Sequence, residues 1–268
     1  MKKLFSFLLC AFLLTACCGD PASTQPTTTI PATAPTDAAT HSTTVPVEET
    51  IMPTTAPTEP IHSALYIPGV DIEDVIVWFN EVCLDAEFVN SGDATLLQKW
   101  TLPIRYSLHG TYTGEDLATL NSFAQWLNTI EGFPGVAEAG EDEPANLQIH
   151  FCTPSEMTQI MGNHYTNMDG AVTFWYNIDN EIYDAIICCL TSLGQSLRNS
   201  VILEELYNGL GPIQDTSLRP DSLIYAEFSE PQELSEIDKL ILQLLYHPDM
   251  KCGMDSVQCE KVIRKLYY

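Results

Sequence analysis

Between Gly19 and Pro60 the chain is built almost wholly from Thr, Pro, Ala and Ser, as in TQPTTTIPATAPTDAATHSTTVP. Such a tract holds too few large apolar residues to offset the entropy of ordering, and its prolines favour extended, polyproline-like backbone. This feature divides the chain. Whatever folds must be made from the roughly two hundred residues between His62 and Tyr268, enough for one sizeable domain with a buried core. The tract itself reads as a tether. At about 3.1 Å per residue, about forty residues of it span on the order of 100 Å when fully stretched.

Ahead of the tether stands MKKLFSFLLCAFLLTACC. Lys2 and Lys3 form a positive start, and Leu4–Leu14 is an apolar run too short for a permanent membrane span. Leu14-Thr15-Ala16-Cys17 resembles a bacterial lipobox, which implies cleavage before Cys17 and lipid on its thiol. An ordinary signal peptide with nearby cysteines is the alternative. Acyl chains insert at about 0.8 kcal/mol per CH₂, so two or three of them hold a protein stably. The expected division is a lipoprotein signal peptide at residues 1–16, a lipidated N-terminus and disordered tether at 17–61, and a domain at 62–268. The membrane is then the expected partner, and the location is extracytoplasmic, lipid-anchored to the bacterial cell membrane.

The formal charge of −25 argues against nucleic acid, because such a surface repels phosphate backbones. Solubility outside a cell accounts for the charge without a specific cationic partner. Cys83, Cys152, Cys188, Cys189, Cys252 and Cys259 fall in the domain, and export permits disulfides without assigning them. Cys252 and Cys259, in KCGMDSVQCEK, are the best candidate pair. A zinc site made from them is less favoured, since neither a CxxC unit nor a matching His pair accompanies them.

Apolar spacing predicts a helix over Asp71–Phe88 and a strand over Leu102–Leu108. A capping box at TGED, from Thr113 to Asp116, heads a helix to about Ile130. EGFPGVAEAGEDEP then reads as a loop. NLQIHF (Asn146–Phe151) reads as a strand, and its alternation suits a sheet edge. A short helix follows over Pro154–Met161. Ala171–Tyr176 and Ile182–Cys188, split by NIDNE, read as a hairpin or adjacent strands. Leu197–Leu210 is a helix stopping at Gly209 and Gly211. Ser235 caps a helix through Tyr246, and the last helix covers Ser256–Tyr267. With no βα repeat visible, the expected class is α+β with a mixed or antiparallel sheet.

One stretch carries chemistry by its frame. Glu204–Asp215 reads EELYNGLGPIQD, where a zinc protease would place HExxHxxGxxHD. In that motif two histidines four apart share a helix face, and the Glu beside the first serves as general base for metal-bound water. Here the ligand positions are Glu204, Asn208 and Gln214, with Glu205 in the base position and Asp215 closing the frame. One carboxylate and two amides are hard oxygen donors, better matched to calcium, magnesium or manganese than to zinc, and weak with a single charge. His109, His150, His164 and His247 are scattered without ligand spacing. No metal and no cofactor is expected. A protease that lost its metal, a site for another ion and a chance match all remain open on the stretch alone.

The surroundings resemble the matrixin type of zinc protease. DSLIY (Asp221–Tyr225) lies where such an enzyme has its Met-turn, with Ile224 in the Met slot. PQELSEIDKLILQLLY resembles its closing helix, and NLQIHF resembles the edge strand on which an extended substrate lies. The whole domain also resembles the bacterial family called domain of unknown function 2927. This second resemblance is carried by KWTLPIRYSLHG, ANLQIHF, LEELYNGLGPIQD, DSLIY and LSEIDKLILQLLYHPDMKCGM. Together these imply a zincin-like fold, with an active-site-type helix and C-terminal helices, that has lost its histidines. The expectation is a non-catalytic membrane-anchored lipoprotein domain. In its sharper form it binds an extended extracellular peptide or protein by strand addition along Asn146–Phe151. The alternative is a peptidase or wall-associated hydrolase with Glu205 as catalytic base, with or without an oxygen-ligated ion. A Cys or Ser nucleophile is disfavoured, since Cys188 and Cys189 lie in an apolar strand and no GxSxG elbow occurs.

Overall fold

The computed structural model describes residues 63–84 and 95–268. The leader, Cys17, the tether and His62 lie outside them, as does the expected end of the first helix at Phe88.

The described residues form six α-helices and six strands. Helix α1 is Ile72–Leu84, and strands β1 and β2 are Lys99–Trp100 and Ile104–Gly110. Helix α2 is Gly114–Leu127, followed by β3, Val136–Glu138, and β4, Leu147–Cys152. Helix α3 is Pro154–Met161, with a single 3-10 turn at Asn163–Tyr165 behind it. Strands β5 (Gly170–Tyr176) and β6 (Glu181–Leu190) lead to α4, Gln195–Asn208. Helices α5 (Glu236–Tyr246) and α6 (Ser256–Tyr267) close the domain.

The sheet is mixed, but parallel pairing dominates. Strand order is β1-β6-β4-β2-β3, all parallel, and β5 joins β6 as its antiparallel hairpin partner. The hairpin turns at NIDNE as expected. The Asn177 side chain accepts from the backbone N–H groups of Asp179 and Glu181, and Asn180 takes a left-handed φ of 62°. Two expectations fail. A βα alternation does exist, because β2–α2–β3 is a parallel crossover unit. Its return strand is only three residues, half-buried or exposed, and carries no alternation inside the acidic loop. The edge position of Asn146–Phe151 is also overturned: β4 bonds β2 on one side and β6 on the other along its length. Alternation there reflects two differently covered faces, not an edge.

Helices α2, α3, α5 and α6 each begin at a complete capping box, on Thr113, Thr153, Ser235 and Asp255. Each box satisfies two otherwise orphaned N–H groups. Helix α4 starts at Gly194 without a side-chain cap. Its first turn is held instead by the α2 box: Asp116, fully buried, accepts from Arg198 Nε at 2.8 Å and Gln195 Nε2 at 2.7 Å.

The two sheet faces differ. Ile104, Tyr106, Leu147, Ile149, Phe151, Ala185, Ile187, Val172 and Phe174 enter the large core shared with the helices. On the opposite face a second, smaller apolar cluster among the described residues lies at one end, where Cys152, Ala171, Cys188 and Leu190 meet Met157 of α3 with Tyr165 and Met168. Tyr165 Oη lies 2.7 Å from Thr173 Oγ1 at that end.

Candidate functional site

Helix α4 brings the EELYNGLGPIQD residues against β5. A Cβ on Gly170 would stand 2.3 Å from Val201 Cγ1 and 2.9 Å from the Glu205 side chain, so the bare backbone of β5 admits the helix at this point. Glu205 is only 4 % exposed there. Val201 lies four residues before it, on the same helix face. Glu204 is rotated about 100° from Glu205 and half-buried. Asn208 stands one turn beyond Glu204, is also 4 % exposed, and its Oδ1 has no hydrogen-bond partner among the described residues.

The chain turns after the helix as the frame requires. Gly211 adopts φ +127°, and a Cβ there would sit 2.6 Å from the Gln98 carbonyl oxygen; only glycine combines that φ with that approach. The turn is pinned to the end of α1, where the Val82 carbonyl accepts from Ile213 N at 2.7 Å and Gln214 N at 3.3 Å. Those donors serve an otherwise unfilled helix-end carbonyl. Gln214 and Asp215 are half-buried on this ledge. Thr216 Oγ1 next donates to Glu81 at 2.5 Å.

The DSLIY segment closes beneath. Thr216 N donates to Ile224 O and Ala226 N to Thr216 O, both at 2.9 Å. Ile224 is 1 % exposed, so the Met slot holds an apolar side chain packed in the core. Asp238, unnoticed as more than a cap in the sequence, fixes this turn. Its carboxylate, 2 % exposed, accepts from Ser222 Oγ at 2.6 Å, Leu223 N at 2.9 Å and Ser235 N at 3.0 Å. Its carbonyl accepts from the Tyr207 hydroxyl of α4 at 3.2 Å. The LSxxD pattern signalled a capping box; the second use of the carboxylate depends on a turn sixteen residues upstream.

All six domain cysteines are free thiols in the structure, Cys252 and Cys259 among them. Cys189 is fully buried, and burial, then the nearby Glu205 charge, push its pKa well up. Such a thiol is a poor nucleophile. For a metal, the motif positions supply one carboxylate and two amides. Among the described residues no group of three His, Cys, Asp or Glu side chains is gathered around one point. The donor set does not fit zinc.

The fold and site define a mixed α/β domain with a mostly parallel sheet, whose motif helix lies against an antiparallel flanking strand. The chain belongs to the family described as protein of unknown function (DUF2927), whose sequence profile matches residues 73–265. No curated protein matches the sequence.

Proposed function

We propose that the chain is an extracytoplasmic lipoprotein, anchored through Cys17, whose zincin-like domain uses its former catalytic helix as a structural member. The observation that carries this reading is the packing of Glu205, the residue in the base position, into the helix–sheet junction against Gly170. Asn208, Gly211 and Ile224 support it in the same way, each serving burial or a turn. Strand addition along β4 is closed, because β2 and β6 take both its edges; among the described strands β3 pairs only with β2 and β5 only with β6, and an added peptide would meet one of these two.

The test uses the full chain in detergent, incubated with a peptide library and with zinc, calcium or manganese. We expect no cleavage above background, and the same result for Glu205→Gln. Metal-dependent cleavage that disappears in Glu205→Gln would overturn the structural reading in favour of a hydrolase. Amide exchange locates a bound peptide: slowing across Val136–Glu138 or Gly170–Tyr176 supports strand addition at a sheet edge, and slowing elsewhere refutes it.

A further inference from the structure

The histidines that look scattered along the sequence are brought together in one case. His109 of β2 and His150 of β4 are direct partners in the parallel ladder. Their rings stack with centroids 4.5 Å apart and planes 15° from parallel. Both side chains stand on the sheet face away from α2 and α4, since the neighbouring residues Ile149 and Phe151 enter the main core. His109 is exposed and His150 half-buried, so the pair is reached from solvent. A mostly parallel sheet normally has both faces covered. Here the uncovered part carries a polar row: Ser107 and His109 on β2, Gln148 and His150 on β4.

Each ring is held by its own strand. Ser107 Oγ lies 2.9 Å from His109 Nε2, and Gln148 Oε1 lies 3.4 Å from His150 Nε2. The Gln148 amide oxygen accepts from the tautomer of His150 that carries its proton on Nε2, which leaves the Nδ1 lone pair to a ligand. An outer oxygen that fixes one imidazole nitrogen so that the other can ligate is the usual support of a histidine metal ligand. Two imidazoles on adjacent strands place two nitrogen donors side by side. Their nitrogen donors suit borderline divalent transition ions and not magnesium or calcium.

We propose that His109 and His150 form a binding site for a divalent transition-metal ion, with Zn²⁺ and Ni²⁺ as representative occupants and water completing the coordination. Binding one ion requires both rings to turn out of the stacked arrangement toward the open face. The row continues toward Cys188, the β6 partner of His150, but that thiol is fully buried beneath the α3 end of the face. The site therefore has two protein ligands, and its open positions can accept a donor from another molecule.

This site is separate from the α4 motif, and the test separates them. Titration calorimetry of the full chain in detergent is run with ZnCl₂, NiCl₂ and MgCl₂. Zinc and nickel should each bind at one equivalent, and magnesium should give no heat. His109→Ala and His150→Ala should each weaken zinc roughly tenfold or more, because either change removes the chelate. His109→Gln, at an exposed position, gives a second variant that keeps the strand intact. His164→Ala, His247→Ala and Glu205→Gln should leave the affinity unchanged. Absence of zinc and nickel binding, or binding that survives both His109→Ala and His150→Ala, would overturn the site. Zinc lost only in Glu205→Gln would instead move the metal to the α4 motif and refute both this proposal and the structural reading of that helix.

Discussion

Gly170 is where the packing of α4 on the sheet is tightest. An alanine there would drive its methyl into Val201 Cγ1 and the Glu205 side chain. Overpacking of this kind costs about 1–3 kcal/mol, so Gly170→Ala should lower the urea midpoint with little change in its slope. The paired change Gly170→Ala with Val201→Ala should recover part of that loss. The importance of Gly170 was invisible in the sequence, where it is merely the residue before a β-rich run. Gly211 was legible, because a glycine three residues past a helix end signals a turn. His109 and His150 were not, since forty-one positions separate them and only the register of β2 on β4 makes them neighbours. Asn208 was singled out by frame alone, and the burial of its oxygen, without a partner among the described residues, is a fact of packing.

Helix α4 is held at its start by ionic contacts in place of a cap. The Arg198–Asp116 pair is almost fully removed from solvent. Removing one partner leaves a buried charge uncompensated, so Arg198→Ala should cost about 3–5 kcal/mol in chemical denaturation. Burial alone would raise the Asp116 pKa, but the Arg198 hydrogen bond, with those from Thr113 and Gln195, outweighs it and holds the carboxyl below its ordinary value. The sign follows from linkage. A depressed carboxyl contributes fully above the unfolded pKa of about 3.9, and that contribution fades as pH falls through the lower folded value. Acid titration of stability should therefore show a smaller loss in Arg198→Ala than in the native chain. At this scale the sequence was most readable. Two of the four capping boxes, at Thr113 and Ser235, were visible as a Ser or Thr with an acidic residue three places on, and the helices lie close to their expected spans. The strands were less so. The return strand β3 is too short to alternate, and a two-faced interior strand imitates an edge when one face is partly open.

For the whole molecule, the expected division into leader, tether and domain rests on the charged start, the apolar run, the lipobox resemblance at Cys17 and the Thr/Pro-rich composition, and it leads to a direct expectation. Cys17→Ser should shift the protein from the membrane fraction to the soluble fraction in a detergent-free fractionation. Retention at the membrane would refute lipid anchoring through that residue. Within the domain, Lys99 joins distant parts. Its Nζ, in a residue 7 % exposed, donates to Leu245 O at 2.9 Å and Met250 O at 2.6 Å, capping the end of α5. Burial lowers its pKa to about 8. Since the unfolded chain binds this proton up to about 10.4, the group makes stability rise as pH climbs through the interval between those values. Native chain minus Lys99→Met, measured by urea unfolding across that range, should show the rise. A difference that stays flat would refute it.

The same lysine also governs the order in which the domain can be completed. Its two carbonyl partners lie 146 and 151 residues further along the chain, and β1, which begins with it, waits for β6. Contacts that span so much sequence form late, because loop closure must precede them. During synthesis the first strand therefore has no permanent neighbour until the hairpin after Gly170 has emerged, and its buried ammonium has no acceptor until α5 is finished. A chain cut before Leu245 would leave that charge stranded, which makes the C-terminal helices the step that locks the first strand in place.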